Sequence, residues 1–280
     1  MIVTIYGLGL IGGSLAKAIN EKTDIDVYGL NRTRETLDKA IKEGVVKGEA
    51  TRDILLKTDI LIIAMFYKPT ITEMEKMCPY LKPGCIVMDI CGNKRTILKK
   101  MDELSKNYPQ LEFVGTHPMA GKEEWGLDSS TKDLFNNASI VIVPQTKNKQ
   151  AIETVESLYK SIGAKKCIIT TPEKHDEMIS YTSQLCHVIS AAYVLNPLSK
   201  EHDGFSAGSF KDMTRVAKLS TDMWVELFLN NKENLSNQIQ DLIKHLTDIK
   251  ESIDNEDSKR LTKILNDSNE YKKNTIKGEK

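Results

Sequence analysis

The first fourteen residues constrain the fold of this chain more than any other segment. An apolar, β-type run, Ile2 to Tyr6, leads directly into the glycine-rich turn GLGLIGGS, and a helical pattern follows the turn. In a G-x-G-x-x-G turn the first glycine permits a tight bend and the second lets the backbone approach a pyrophosphate. The third lets the helix pack closely on the strand. The sequence assigns these roles to Gly7, Gly9 and Gly12.

Free N–H groups at the start of such a helix face an anion. We therefore predict that the turn binds the pyrophosphate of a dinucleotide through Gly7, Leu8, Gly9, Leu10, Ile11 and Gly12. Glycines also collect in ordinary turns, but the position directly after a clean strand favours dinucleotide binding.

The end of the second predicted strand bears on which dinucleotide is bound. Dinucleotide-binding domains that use NAD usually place Asp or Glu here, on the ribose hydroxyls. This chain has Asn31, followed by Arg32, Thr33 and Arg34. Arginine binds two phosphate oxygens through its planar fork, so the segment favours NADP, with NAD as the alternative. In that alternative the arginines are solvated and Asn31 serves the ribose of NAD.

Length, charge and cysteine content argue against several classes of protein: nucleic-acid-binding, secreted, membrane-spanning and zinc-binding proteins. The 280 residues allow two domains, and 39 basic residues balance 39 acidic ones, so nothing attracts the chain to nucleic acid or to an acidic membrane. The N-terminal strand lacks the layout of a signal peptide, and no apolar run is long enough to cross a bilayer. The five cysteines form no C-x-x-C pair, as in reduced proteins without a zinc site. We expect a cytoplasmic protein.

Strand and helix patterns alternate along the first part of the chain and then give way to helices alone. The alternation predicts an α/β, Rossmann-type parallel sheet covered on both faces. We place a dinucleotide-binding domain at 1–171 and an all-α substrate and dimerisation domain at 172–280. The tail from about Asn266 is charged and polar, and we expect it to be disordered.

A long apolar stripe marks one face of a helix near the end of the chain. Its members recur every three or four residues: Leu235, Ile239, Leu242, Leu246, Ile249 and Ile253. Such a stripe belongs to a core or to a subunit contact, and we predict a homodimer built largely from residues after 171.

The segment GTHPMAGKE, residues 115–123, carries the main catalytic candidate. His117 directly follows a predicted strand, and ligands bind at the carboxyl edge of such a sheet. Histidine is the side chain most easily set as a base near neutral pH. A histidine that only hydrogen-bonds its loop is the alternative.

Two further clusters contain polar residues. His175–Asp176 and His187 lie too far apart in sequence for a metal motif. Arg215, if buried, needs an anionic partner, either Asp212 or a substrate carboxylate. His202 and His245 lie in polar surroundings and are predicted to be surface residues.

In combination these motifs resemble the prephenate dehydrogenase family of the tyrosine pathway, over residues 1 to about 250. The matching segments are GLGLIGGS, DICGNK, GTHPMAGKE, HD, SQLCH and GSFKDMTRVA, with MW close behind. The HPMAG and DMTR segments, in this order and spacing, are the specific part of the match. Too little chain remains after residue 250 for the ACT domain or fused mutase of some members.

The resemblance implies oxidative decarboxylation of prephenate with hydride transfer to a nicotinamide. It assigns His117 as the residue that draws the proton from the ring hydroxyl, and Arg215 as the ligand of a substrate carboxylate. His187 and Glu123 match active-site polar residues. Asp212 and Trp224 match residues that shape the pocket from the helical domain.

The chain departs from the family pattern at two positions. Many members carry Ser at the position of Gly92, where it contacts the substrate hydroxyl, and His at the position of Gln184. The hydrogen bond that this serine would make is therefore either absent in this chain or supplied by water or by another group such as Asn93. These departures leave arogenate dehydrogenase as an alternative, because it shares the framework. Because of Lys94, a different NAD(P)-dependent reductase of the same architecture remains an alternative function. A non-catalytic nucleotide sensor is disfavoured, because the chain retains the base, His117, and the arginine, Arg215.

Overall fold

The computed structural model describes residues 1–276. Met1–Asn231 form one compact unit, and the residues from Lys232 onward form a second. Within the described residues no helix is both long and apolar enough to cross a membrane.

A seven-stranded sheet forms the centre of the first unit, in the order β2-β1-β3-β4-β5-β6-β7. Its strands are β1 (Ile2–Tyr6), β2 (Asp26–Leu30), β3 (Ile60–Ile63), β4 (Ile86–Asp89), β5 (Glu112–Pro118), β6 (Ser139–Pro144) and β7 (Lys166–Ile169). Because β1 is flanked by β2 on one side and β3 on the other, the strand order reverses there. Ligands of such sheets bind in the crevice at this point, outside the carboxyl ends of the strands.

The sheet is mixed rather than wholly parallel. Strands β1 to β5 pair in parallel, but β5 and β6 pair antiparallel, with His117 opposite Val141. The physical reason is the connection between them, because a parallel neighbour requires a crossover. The chain between Pro118 and Ser139 contains no helix, so it returns from the end of the sheet at which it left.

Helices cover both faces of the sheet, as the alternating pattern predicts. They are α1 (Leu10–Lys22), α2 (Arg34–Lys42), α3 (Arg52–Leu55), α4 (Tyr67–Met77), α5 (Arg95–Asn107) and α6 (Lys149–Ser161). One buried apolar cluster joins α1, α2 and α6 to the sheet, and the other joins α3, α4 and α5. Successive residues of β3 divide between them, Ile62 in the first and Leu61 in the second, as expected of side chains that alternate across a strand.

The remaining helices of this unit are α7 (Pro172–Ile179), α8 (Cys186–Val194), α9 (Gly208–Thr214) and α10 (Thr221–Asn230). The Thr171 side chain caps α7 by accepting a hydrogen bond from Lys174 N, and Pro172 occupies the first turn, where its missing N–H costs nothing. A π-helix, Ser180–Leu185, joins α7 to α8. Such segments are frequent at functional sites.

The second unit contains α11 (Lys232–Asp254) and α12 (Ser258–Ile276). The Arg260 guanidinium of α12 lies 2.6 Å from Asp248 and 3.1 Å from Glu251 of α11. The prediction of a disordered tail from Asn266 is wrong as far as residue 276, because a charged segment still forms a helix when a neighbouring helix offers packing and ion pairs. Residues 277–280 of that predicted tail lie outside the described residues.

Candidate active site

The glycine turn has the shape that a pyrophosphate requires. Gly7 has φ +101°, and a Cβ there would lie 2.4 Å from Ala64 O. A Cβ on Gly12 would lie 1.9 Å from Gly7 O, whereas one on Gly9 would meet nothing within 4 Å. The first and third glycines therefore permit close packing, and the second leaves open space at the start of α1. These residues fit a dinucleotide whose pyrophosphate contacts the helix N-terminus.

Asn31 supports this turn from the end of β2. Its Oδ1 accepts a hydrogen bond from Leu8 N at 2.9 Å, and its Nδ2 donates to Thr33 O at 3.0 Å. Sequence reasoning assigned Asn31 to the cofactor alone and missed this contact with the glycine turn. The signal was the parallel pairing expected of β1 and β2, which places the two strand ends side by side.

The two arginines after Asn31 differ in their surroundings. The Arg34 guanidinium lies 2.9 Å from Asp38 and 2.7 Å from Glu49. Arg32 is exposed and has no ion-pair partner among residues 1–276. Of the two candidates for a 2′-phosphate, only Arg32 has a guanidinium that is not already neutralised.

His117 lies near the carboxyl end of β5, as the penultimate residue of the strand rather than directly after it. Its Nδ1 lies 2.9 Å from Nε2 of His175, and the two ring centroids are 5.1 Å apart. Burial, reinforced by His175 and the Lys94 ammonium, holds the pKa of His117 well below its ordinary value of 6.5. The ring is therefore neutral at physiological pH, as a base must be.

His175 is held in turn by Asp176. His175 Nδ1 lies 2.7 Å from Asp176 Oδ1, and the two residues are 2% and 0% exposed. Asp176 also accepts hydrogen bonds from the backbone N–H groups of Lys94 at 2.7 Å and Arg95 at 3.0 Å, at the start of α5. Burial disfavours the carboxylate, but these hydrogen bonds outweigh it, and the pKa of Asp176 is lowered.

This arrangement fixes the proton positions. Because Asp176 is an acceptor only, the proton on His175 must sit on Nδ1, which leaves His175 Nε2 as an acceptor. His117 then carries its proton on Nδ1 and donates it to His175, so the lone pair of His117 Nε2 is available to a substrate. Sequence reasoning named the His175–Asp176 pair but gave it no role, since its contact with His117 is tertiary.

Beneath this chain of side chains lies a buried ion pair. Lys94 Nζ contacts Asp89 Oδ2, and both side chains are 0% exposed. Asp89 also accepts a hydrogen bond from Cys91 N at 2.7 Å. Lys94 is thus held inside the protein, and its charge acts on the site only through space.

The substrate-binding candidates of the helical segments come together in a second group. The rings of His187 and Trp224 lie 3.8 Å apart, and His187 Nδ1 donates to Ser183 O at 2.9 Å, which leaves its Nε2 as an acceptor. Burial lowers the pKa of His187, partly offset by the Ser183 carbonyl. Arg215 Nη1 lies 2.7 Å from Glu123 Oε1, with side chains 66% and 48% exposed.

Of the two partners considered for a buried Arg215, Asp212 does not pair with it, because Arg215 is exposed and Glu123 of the loop after β5 takes that place. Asp212, on α9, is exposed and makes no ion pair within the described part of the chain. The guanidinium of Arg215 is therefore open to solvent and to a further anion.

Helix α10 connects the two groups. It carries Trp224 and, one turn later, Leu227, whose Cδ2 lies 3.0 Å from the position that a Cβ on Gly92 would take. The same Cβ position lies 4.0 Å from His117 Cε1. Through α10 the structure thus links His117 of β5 with His187 of α8.

Buried amides hold α10 in this position. Asn93 Nδ2 donates to Leu227 O at 2.8 Å, and Gln184 Nε2 donates to Asn93 Oδ1 at 2.9 Å. Asn231 Nδ2 donates to Gln184 Oε1 and to Asp176 O, each at 2.8 Å. Asn93 and Gln184 are 3% and 1% exposed, so neither supplies the hydrogen bond that the missing serine at Gly92 would give. Their role is internal.

No cluster of metal-ligating side chains occurs among residues 1–276.

Comparison with known proteins gives consistent matches. The family model described as the nucleotide-binding domain of prephenate dehydrogenase matches residues 15–168, and the model of its dimerization domain matches residues 171–267. The prephenate dehydrogenase of Bacillus subtilis is 29% identical over 283 residues, covering 96% of this chain and 75% of that protein.

Two solved structures share the fold over nearly the whole chain. Prephenate dehydrogenase from A. aeolicus, in complex with hydroxyphenyl propionate and NAD+, matches with a TM-score of 0.86 at 26% identity, over 98% of each chain. Synechocystis arogenate dehydrogenase matches with a TM-score of 0.83 at 25% identity, over 98% of this chain and 100% of that one.

Proposed function

Because the chain belongs to the prephenate dehydrogenase family, a family of NAD(P)-dependent oxidoreductases, we propose that it converts prephenate to 4-hydroxyphenylpyruvate and CO2. The observation that carries this proposal is the state and position of the His117 ring. The ring is neutral, its Nε2 lone pair is free, and it lies within reach of the Gly92 backbone and α10.

The chemistry asks little of the protein beyond orientation and one proton acceptor. Bound NAD(P)+ supplies the acceptor for the hydride that leaves the ring carbon. His117 Nε2 takes the proton of the ring hydroxyl, so that the alcohol becomes a ketone. The bond to the ring carboxylate then breaks and CO2 leaves. The electron pair of that bond makes the ring aromatic with a phenolate oxygen, which takes the proton back to give the product. Positioning is the main contribution that remains.

Arg215 is the proposed ligand of a substrate carboxylate. Its side chain is largely exposed and only singly paired, so a second anion can bind its remaining N–H groups bidentately. Glu123 orients the guanidinium. His187, whose ring lies against that of Trp224, offers its Nε2 to the substrate, and Trp224 forms a wall of the pocket. We propose that Asp212 also shapes the pocket, at its rim.

We propose NADP as the preferred dinucleotide, with NAD as the alternative. The support is Asn31 in place of a carboxylate and the exposed Arg32 guanidinium, which has no ion-pair partner among residues 1–276. The pairing of Arg34 with Asp38 and Glu49 removes the second arginine from this argument.

Arogenate is the second candidate substrate, since it differs by an amine in place of the side-chain ketone. The similarity of this chain to the Synechocystis arogenate dehydrogenase supports arogenate as an alternative substrate. Another reductase that uses a lysine at the reacting atoms is disfavoured, because Lys94 is fully buried and paired with Asp89.

We also propose a homodimer formed largely by the segment 172–280, which we regard as the substrate and dimerisation domain. Residues 171–267 match the dimerization domain of the family. Large apolar side chains are unusually exposed there: Leu195 is 81%, Leu198 69% and Phe205 94% exposed. In α11, Leu246 is 56% exposed. Surfaces of this kind mark subunit contacts.

The test is an assay of cofactor reduction with prephenate and with arogenate, each with NAD and with NADP. We expect turnover with prephenate. The variant His117→Asn should keep its fold and its dinucleotide affinity but lose about a hundredfold or more in kcat. Absence of turnover with both substrates, or a fully active His117→Asn variant, would contradict the proposal.

A further inference from the structure

The hydrogen bonds behind His117 lead away from the reacting atoms to a single carboxylate. His117 Nδ1 and His175 Nε2 lie 2.9 Å apart, and His175 Nδ1 and Asp176 Oδ1 lie 2.7 Å apart. Each contact is short enough for a proton to pass along it. A second histidine between the base and the carboxylate is more than orientation alone requires, since a carboxylate touching the base would suffice.

The charges around the two rings differ in kind. His117 faces His175 and the Lys94 ammonium, and within residues 1–276 no carboxylate makes a hydrogen bond or ion pair with it. His175 faces the same ammonium, but it is hydrogen-bonded directly to the Asp176 carboxylate, and the Asp89 carboxylate is nearby. A positive charge is therefore better accommodated on His175 than on His117.

We propose that His175 is the resting place of the reaction proton, and that His117 passes a proton on rather than keeping one. This inference rests on the proposed dehydrogenase function. As the ring hydroxyl gives its proton to His117 Nε2, the proton on His117 Nδ1 moves to His175 Nε2. His117 ends neutral, with its proton on Nε2. His175 then holds the proton as an imidazolium paired with the Asp176 carboxylate. Once CO2 has left, the same transfers in reverse protonate the phenolate oxygen of the product.

The directions of the two histidine pKa shifts agree with this order of proton transfers. Burial holds the pKa of His117 well below 6.5, and His175 and the Lys94 ammonium lower it further. The pKa of His175 is also lowered by burial, but its bond to Asp176 raises it again in part. Both rings are neutral before the reaction, so the relay is set to accept one proton.

The test compares His175→Gln with the wild type. A glutamine carbonyl can still accept the His117 Nδ1 proton and keep the ring oriented, but it cannot become a cation. His245→Gln, at an exposed position of α11, is the matched control. Thermal unfolding and dinucleotide binding show whether each variant is folded.

We expect His175→Gln to keep its KM within about threefold and to lose about a hundredfold or more in kcat. The acid limb of its pH profile should move to lower pH, because the group that is protonated first has been removed. In mixtures of H2O and D2O, single-turnover rates should report two protons in flight for the wild type and one for the variant.

Three results would overturn the relay. These are near-wild-type turnover of folded His175→Gln, an unmoved acid limb, and a single-proton isotope dependence in the wild type. The last result needs no variant and decides the matter even if His175→Gln does not fold. A wild type inactive with prephenate and arogenate would instead refute the dehydrogenase function itself.

Discussion

Gly92 and Leu227 share the space beside the ring of His117. A Cβ at position 92 would lie 3.0 Å from Leu227 Cδ2, the far end of a flexible side chain, and 4.0 Å from His117 Cε1. A small side chain at position 92 therefore requires only a shift of Leu227, which costs about 1 kcal/mol.

From this contact we predict that Gly92→Ser folds, with a Tm lower by a few degrees, about 2–4 °C. The new hydroxyl beside His117 should lower the KM for prephenate about threefold to tenfold, the range of one hydrogen bond of about 0.5–1.5 kcal/mol. Gly92→Ala adds the same Cβ without the hydroxyl and is the control. Equal KM values for the two variants would show that the hydroxyl makes no contact with the substrate.

Cofactor preference should depend on Arg32 and not on Arg34. A charge-assisted contact is worth about 1.5–3 kcal/mol, so Arg32→Ala should lower the preference for NADP roughly tenfold to a hundredfold. Arg34 is already paired with Asp38 and Glu49, and Arg34→Ala is the control, with an unchanged ratio of kcat/KM values. A wild type that prefers NAD would refute the NADP proposal.

Adding Asn31→Asp to Arg32→Ala should shift the preference to NAD. An aspartate can still accept the Leu8 N–H but loses the bond from Nδ2 to Thr33 O, and it repels a 2′-phosphate. The kcat/KM values for both dinucleotides measure the shift. A double variant that binds neither dinucleotide would show instead that Asn31 mainly supports the glycine turn.

Arg215→Ala should raise the KM for prephenate far more than it lowers kcat. A carboxylate bound by Arg215 is held equally in the ground state and the transition state, so its loss appears in KM. Because the pair with Glu123 is exposed, its own contribution to stability is small and the variant should fold. Arg260→Ala, a surface arginine of α12 paired with Asp248, is the control. An unchanged KM would remove Arg215 from the substrate site.

The pKa of His117, held well below 6.5, makes the direction of pH dependence definite. Activity should persist below pH 6.5 and fall only when one of the two coupled rings, His175 first, is protonated. For stability, the unfolded chain binds a proton near 6.5 and the folded chain does not, so the free energy of unfolding decreases as pH falls below that value. Denaturant titrations on either side of pH 6.5 measure this, and His117→Asn should show a weaker dependence. A stability that rises on acidification would contradict a neutral His117 ring in the folded protein.

The homodimer should be visible by light scattering at micromolar concentration. Phe205→Ser, at a position 94% exposed, should weaken association. Leu56→Ser, at a position 49% exposed beside α3, removes a similar apolar surface outside the segment 172–280 and should leave association unchanged. A monomeric wild type would refute the dimer.

Sequence reasoning identified the parts of this site that local geometry dictates. The glycine turn was predictable because only glycine fits the backbone at Gly7 and Gly12. His117 was predictable because strand ends of such sheets meet at one edge. The partners of His117 and Arg215 were not, since His175 and Glu123 lie 58 and 92 residues away from them. Such contacts depend on how helices dock, which periodicity does not encode.

The reversed direction of β6 has a consequence for how the molecule loses activity on heating. The pairing of β5 with β4 ends at Gly115, and only β6 continues it, through Thr116, His117 and Pro118. Local opening of that one antiparallel ladder releases the backbone of the base while the parallel sheet stays closed, at a free energy below that of global unfolding. Thermal inactivation should therefore precede the calorimetric transition, and amide exchange should be faster in the last residues of β5 than in its first.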